Sequence, residues 1–109
     1  MVNYISAEDL LKKIENKDDF KLLDVLLAAG YDKWHIPGAI NIAITEFENT
    51  APHVLDKSDK IIIYCSSTEC KSSSRAAKIL ENRGFTDVSE FSGGKKEWME
   101  KNYPVEKEK

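Results

Sequence analysis

Cys65 opens a run of small polar residues, Ser66-Ser67-Thr68-Glu69-Cys70-Lys71-Ser72-Ser73-Ser74, that follows the apolar stretch Ile61-Ile62-Ile63-Tyr64 and precedes Arg75-Ala76-Ala77-Lys78-Ile79-Leu80. A thiol between a strand end and a helix start lies where orphan backbone N–H groups and the helix dipole favour an anion, so its pKa is expected to fall and its thiolate to act as a nucleophile. Lys71 and Arg75 would add to this if they turn inward, and the loop hydroxyls can serve as donors or as helix caps. A lone cysteine at a strand end is more often a small core residue, but the strand, polar loop and helix in sequence favour a reactive Cys65. For Cys70 two readings stand: a resolving thiol that attacks a sulfur carried on Cys65, or a residue packed under the loop. A disulfide between them needs Cα atoms within about 7 Å.

The elements that must position this loop are legible as an alternation. Ser6 stands as an N-cap three residues before Asp9, and Leu10, Leu11 and Ile14 recur at helical spacing, which predicts a helix from about Ala7 to Asn16. Lys21 to Val25 reads as a buried strand ending near Asp24. Tyr31 to Ala39 reads as an ordered connection, in which Pro37 blocks helix and Gly38 turns the chain before a short strand at Ile40-Asn41-Ile42. Thr45 is the expected cap of a short helix with Phe47 inward, broken at Pro52 and restarting towards Leu55. Ile61 to Tyr64 is a β-branched run of the kind buried on both faces of a parallel sheet. The helix behind it stops at Gly84, Val88 to Phe91 forms a last strand, and Gly93-Gly94 turns into a helix carrying Trp98. Residues 1–105 are then expected to form one α/β domain with a parallel central sheet covered by helices on both faces, and the charged residues 106–109 are expected to fray.

Composition narrows the function. With 109 residues and a net charge of −3, and without a Lys/Arg cluster, the chain has no electrostatic footprint for nucleic acid. It has no apolar run long enough to span a membrane and no leader-like start, so the expected compartment is the cytoplasm. Two cysteines without a zinc-spaced partner suggest a reactive thiol rather than a disulfide scaffold or metal site.

Four segments, in order, resemble the rhodanese family over nearly the whole chain. Leu22-Leu23-Asp24-Val25 is similar to its first buried strand, Tyr31-x-x-x-His35-Ile36-Pro37-Gly38-Ala39-x-Asn41-Ile42 to its aromatic and His-Ile-Pro-Gly-Ala motif, Ile61 to Cys65 with Ala76-Ala77 and Gly84-Phe85 to its nucleophile strand and following helix, and Gly93-Gly94-x-x-x-Trp98 to its closing motif. The resemblance implies a doubly wound α/β fold with a parallel central sheet of about five short strands, and a cycle in which Cys65 takes a sulfane sulfur from a small donor, thiosulfate or a persulfide, and passes it to a thiol or cyanide-like acceptor, or to a protein acceptor. No metal or organic cofactor is implied, because the covalent intermediate divides one transfer into two. The expected partners include neither nucleic acid nor membrane, and the expected state is a monomer or weak dimer. Two departures bear on the donor: Leu26 stands where an arginine commonly follows Asp-Val, and the loop is longer, resembling a Cys-x4-Cys variant.

The candidate site is therefore Cys65 with Ser66, Ser67, Thr68, Glu69, Cys70, Lys71 and Ser72, and with Asp24, Arg75 and His35 as possible support. His35 reads as a structural tie within its connection more than a proton relay, Trp98 as core, and Lys95-Lys96 as a solvated face. One alternative is a non-catalytic persulfide carrier or docking module. The other, a phosphatase or arsenate reductase of the same fold, needs a bidentate arginine where Cys-x5 here reaches Lys71, and Glu69 opposes a dianion.

Overall fold

Residues 3–107 are described by a computed structural model. Their strands are β1 (Asn3–Tyr4), β2 (Lys21–Asp24), β3 (Ile40–Asn41), β4 (Ile61–Tyr64) and β5 (Val88–Phe91). The helices are α1 (Ala7–Glu15), α2 (Ala28–Lys33), α3 (Ile44–Val54), α4 (Ser72–Asn82) and α5 (Gly94–Glu100). The strands form one parallel sheet in the order β1-β5-β4-β2-β3, with β4 central between β2 and β5.

Side-chain alternation along the strands divides the interior into two layers. Leu23, Val25, Ile61, Ile63 and Cys65 face α3 and α4, where they meet Phe47, Ala51, Ala76, Ala77 and Leu80. Leu22, Ile62 and Tyr64 point the other way, against Leu10 of α1 and Trp98 of α5. All four β4 residues are buried, as the unbroken β-branched run requires for a strand covered on both faces. Burying each of these large side chains contributes about 1.5–3 kcal/mol against leaving it exposed. The same alternation puts Cys65 on the α4 side and Tyr64 on the α5 side, so adjacent residues serve different layers.

Helix α1 begins as its sequence predicts: the Asp9 N–H donates to Ser6 Oγ at 3.1 Å. Elsewhere the structure differs from expectation. Pro52 does not break α3, because the helix is near its end there and closes through the Leu55 N–H on the Ala51 carbonyl; Thr45 lies inside its first turn, after Ala43. Helix α2, six residues without a side-chain cap, and the two-residue β1 are too short to leave a periodic signal. The charged tail is tied at its first residue: the His35 N–H donates to the Glu106 carbonyl at 2.8 Å and the Glu106 N–H returns to the His35 carbonyl at 2.9 Å. This pairing satisfies two backbone groups that fraying would leave to water, and it corrects the expectation at Glu106; residues 108–109 lie outside those described. Among the described residues no helix is long and apolar enough to cross a membrane.

Candidate active site

Cys65 follows β4 directly and is 1% exposed, with its side chain in the layer beneath α4. Its backbone is held from the opposite element. The Lys95 N–H donates to the Cys65 carbonyl at 3.0 Å and the Lys96 N–H to the Ser66 carbonyl at 2.8 Å, so the start of α5 grips the start of the loop. Gly94 makes that grip possible. It has a φ of +63°, and a β-carbon there would lie 2.5 Å from the Cys65 carbonyl oxygen and 2.9 Å from Ser67 N. The Gly-Gly pair is thus more than a turn: it lets two backbones touch.

The far end of the loop is anchored by a carboxylate that sequence reasoning passed over. Glu90, on β5, is 3% exposed; Ser73 Oγ donates to its Oε2 at 2.6 Å and Ser74 Oγ at 2.9 Å. These serines open α4, whose N-cap Lys71 makes no side-chain cap. Two of the hydroxyls expected to serve the thiolate or cap the helix, those of Ser73 and Ser74, are therefore engaged in fixing α4 to β5. The available signal was the acid itself, at a strand position where Val88, two residues earlier, points into the same layer.

Between these anchors the chain turns back through the Cys70 N–H on the Ser67 carbonyl, 3.1 Å, and Cys70 is disulfide-bonded to Cys65 across a Cα separation of 6.3 Å. Ser66 Oγ lies 4.0 Å from Cys65 Sγ. Ser67, Cys70 and Ser72 are half-buried, whereas Ser66, Thr68, Glu69, Lys71 and Arg75 are exposed. Lys71 and Arg75 thus turn outward instead of towards the sulfurs. An open hollow of about 330 Å³ adjoins the loop, lined by Thr68, Gly93, Lys96, Glu97 and Glu100.

The remaining candidates, Asp24 and His35, belong to a separate network on the α5 side of the sheet. Asp24 pairs in register with Tyr64. Its Oδ1 accepts the Leu26 N–H at 2.9 Å and its Oδ2 the Tyr64 hydroxyl at 2.8 Å, while that same hydroxyl accepts the Ile36 N–H at 3.1 Å. Burial raises the Asp24 carboxyl above its ordinary range, against these hydrogen bonds, and burial also raises the Tyr64 phenol. His35 Nδ1 donates to the Tyr31 carbonyl at 3.0 Å, its ring stacks on Tyr31 at 3.8 Å, and its Nε2 stands 3.5 Å from Glu106 Oε1. Its contacts are those of the structural tie that the sequence suggests.

Lys95 corrects the reading of a solvated Lys-Lys face. It is 8% exposed, donates from Nζ to the Gly30 carbonyl at 2.8 Å, and lies 4.4 Å from the centre of the Trp34 ring. Burial lowers its pKa, and the nearby Asp24 charge partly offsets this. Lys96, its neighbour, is exposed.

A family model described as a rhodanese-like domain matches residues 6–101. Over 97 residues the chain is 33% identical to the putative sulfur carrier protein YrkF of Bacillus subtilis (strain 168), a match covering 89% of this chain and 51% of that protein, so the chain spans about half the relative's length. Over 76 residues it is 38% identical to the thiosulfate sulfurtransferase PspE of Escherichia coli (strain K12), covering 69% of this chain and 70% of that protein. The solution structure of the rhodanese-like domain from the Anabaena sp. Alr3790 protein superposes with a TM-score of 0.87 at 31% identity, covering 98% of this chain and 80% of that one. The crystal structure of BH2092 from Bacillus halodurans gives 0.89 at 30% identity, covering 96% and 77%.

Proposed function

Since the chain belongs to the family of rhodanese-like domains, we propose that it is a sulfurtransferase in which the Cys65 thiolate attacks the sulfane sulfur of a donor, holds it as a persulfide, and yields it to a thiophilic acceptor. The observation that carries this reading is the space in front of Cys65 Sγ. A second sulfur, that of Cys70, sits there at bonding contact. With the disulfide reduced and Cys70 swung aside, the outer sulfur of a persulfide fits where Cys70 Sγ now lies. The start of α4 within the same loop supplies a positive dipole end for the anion, and covalent storage needs no further group.

The donor follows from the charges. Leu26 is neutral, Glu69 is negative, and Lys71 and Arg75 face outward, so a small dianion such as thiosulfate finds little to hold it. Persulfide donors of lower charge, small or protein-borne, suit the loop better.

A second reading is favoured by the near-complete burial of Cys65: a carrier that loads once and discharges only to a docked protein. One relative matched over 89% of this chain is described as a putative sulfur carrier. The two readings separate by turnover, since an enzyme cycles with a small donor and acceptor while a carrier stalls after one loading. Intact-mass measurement of the reduced protein after thiosulfate, polysulfide or a low-molecular-weight persulfide tests the common premise. In Cys70→Ser, where no second thiol can discharge it, a gain of one sulfur mass on Cys65 is expected, absent when Cys65 is replaced by serine; no gain from any donor overturns it.

A further inference from the structure

We propose that Cys70 gives this protein a second activity, the reductive release of the bound sulfur as hydrosulfide, in which the chain itself supplies both electrons. The inference rests on the persulfide reading of Cys65. What it adds comes from how the loop is held. One end is fixed by the N–H groups of Lys95 and Lys96 on the Cys65 and Ser66 carbonyls, the other by Ser73 and Ser74 on the buried Glu90. Between them lies a short span in which Cys70 is in bonding contact with Cys65, five residues away. Anchors at both ends keep the second thiol close to the first when the bond is open. Attack by Cys70 is then intramolecular and competes well with any acceptor arriving from solution.

The step balances within the chain. The Cys70 thiolate attacks Cys65 Sγ, a bond forms between the two Sγ atoms, and the bond from Cys65 Sγ to the outer sulfur breaks. The outer sulfur leaves with the electron pair as hydrosulfide, taking up the proton that Cys70 gave on ionising. Two thiols are oxidised by two electrons in all, and one sulfane sulfur is reduced by the same two. Attack on the outer sulfur would instead move the persulfide to Cys70; the observed partner of Cys70 is Cys65 Sγ, which favours attack there. To reset the loop, a dithiol reductant must reopen the disulfide. Cys70 is half-buried and Cys65 is 1% exposed, so the reductant reaches the Cys70 sulfur first and Cys65 departs as the thiolate ready for the next donor. Without such a reductant the oxidised loop stays shut over Cys65. Sulfur handling is thereby tied to the supply of dithiol.

The test starts from fully reduced protein, freed of reductant, given one equivalent of glutathione persulfide, with sulfide and intact mass followed together. Wild type is expected to release close to one hydrosulfide per chain and to end lighter by two hydrogens, with a Cys65–Cys70 linkage on peptide mapping. Cys70→Ser, or Cys70→Ala should serine disturb the loop, is expected to gain one sulfur mass and keep it, with sulfide release slowed by at least about tenfold. Cys65→Ser should do neither, which excludes direct reaction of Cys70 with the donor. If wild type holds the extra sulfur as long as Cys70→Ser and forms no disulfide, the second activity is overturned while the loading of Cys65 stands. If Cys70→Ser gains no sulfur, the loading itself fails, and the inference with it.

Discussion

Two connections leave the carboxyl ends of neighbouring strands, and they use polar groups in opposite ways. After β2, each polar group of the Asp24, Tyr64 and His35 network is committed to a fixed partner: Asp24 to Leu26 N and Tyr64, Tyr64 to Ile36 N, and Asn41 Nδ2 to the carbonyls of Asp24 and Leu26 at 3.0 and 2.8 Å. After β4, Ser66, Thr68, Glu69 and Lys71 face outward, and a side-chain bond across the loop joins two sulfurs. Groups saturated in this way hold a shape, whereas an exchangeable bond between sulfurs held at both ends can change state. The contrast separates architecture from chemistry, and substitutions in the two regions should move different observables.

The largest expected effect is on Cys65. Cys65→Ser should reduce sulfur transfer to background, measured as acceptor product formed with any donor that loads the wild type, while stability stays within about 2 kcal/mol of wild type. Near wild-type turnover would refute the assignment. Next is Gly94→Ala, which forces a β-carbon against the Cys65 carbonyl at a positive φ. A loss of about 3 kcal/mol is expected, together with slower persulfide loading, because the substitution displaces the loop as well as straining the turn. Thermal unfolding and a loading time course on one preparation report both. Full stability in Gly94→Ala would mean that the α5 start does not grip the loop.

Smaller effects belong to the other connection. Tyr64→Phe leaves Asp24 Oδ2 and the Ile36 N–H, both buried, without their tyrosine partner, for a cost of about 2 kcal/mol in denaturant unfolding and an unchanged loading rate. Gly38→Ala tests the turn alone. Gly38 has a φ of +85°, but a β-carbon there meets nothing within 4 Å, so only the left-handed backbone penalty applies, about 1 kcal/mol. Loss of activity in Gly38→Ala without a drop in melting temperature would reverse the roles assigned to the two connections.

The same contrast explains what the sequence made legible. Strong periodic signals are properties of the chain itself, so Ile61-Ile62-Ile63-Tyr64, the Ser6 cap and the helix over Ala76-Ala77 could be read directly, and with them the position of Cys65 at a strand end. Contacts set by tertiary packing could not. Lys95 reads as surface because two adjacent lysines usually are; its burial depends on the Gly30 carbonyl and Trp34, more than sixty residues distant in sequence. Glu90 reads as an unremarkable acid until α4 brings Ser73 and Ser74 over it. Helix α2 and strand β1 are too short for periodicity, and the tie at Glu106 depends on a partner at His35 that local sequence does not reveal.

The finest test of the division lies in the pH dependence of Asp24. Burial raises its folded pKa above the ordinary 3.8, outweighing the opposing effect of its hydrogen bonds and of Lys95. Between 3.8 and the folded pKa, the native protein holds a proton that the unfolded chain has released. The sign follows: Asp24's contribution to stability is greatest below 3.8 and declines as pH rises through the folded pKa. Asp24→Asn has nothing to titrate there, so the stability of wild type minus that of the variant should fall with rising pH in this window and flatten above it. Lys95 provides a second limb of opposite slope. Its folded pKa is lowered by burial, so stability rises with pH from that value towards 10.5; removing the Asp24 charge, which holds Lys95 up, should start this rise at lower pH in the variant. Denaturant unfolding across a pH series measures both limbs. The loading rate of Cys65, followed over the same series, should show no step that vanishes in Asp24→Asn. If it does, the carboxylate acts on the thiol through the sheet, and the connection after β2 takes part in the chemistry.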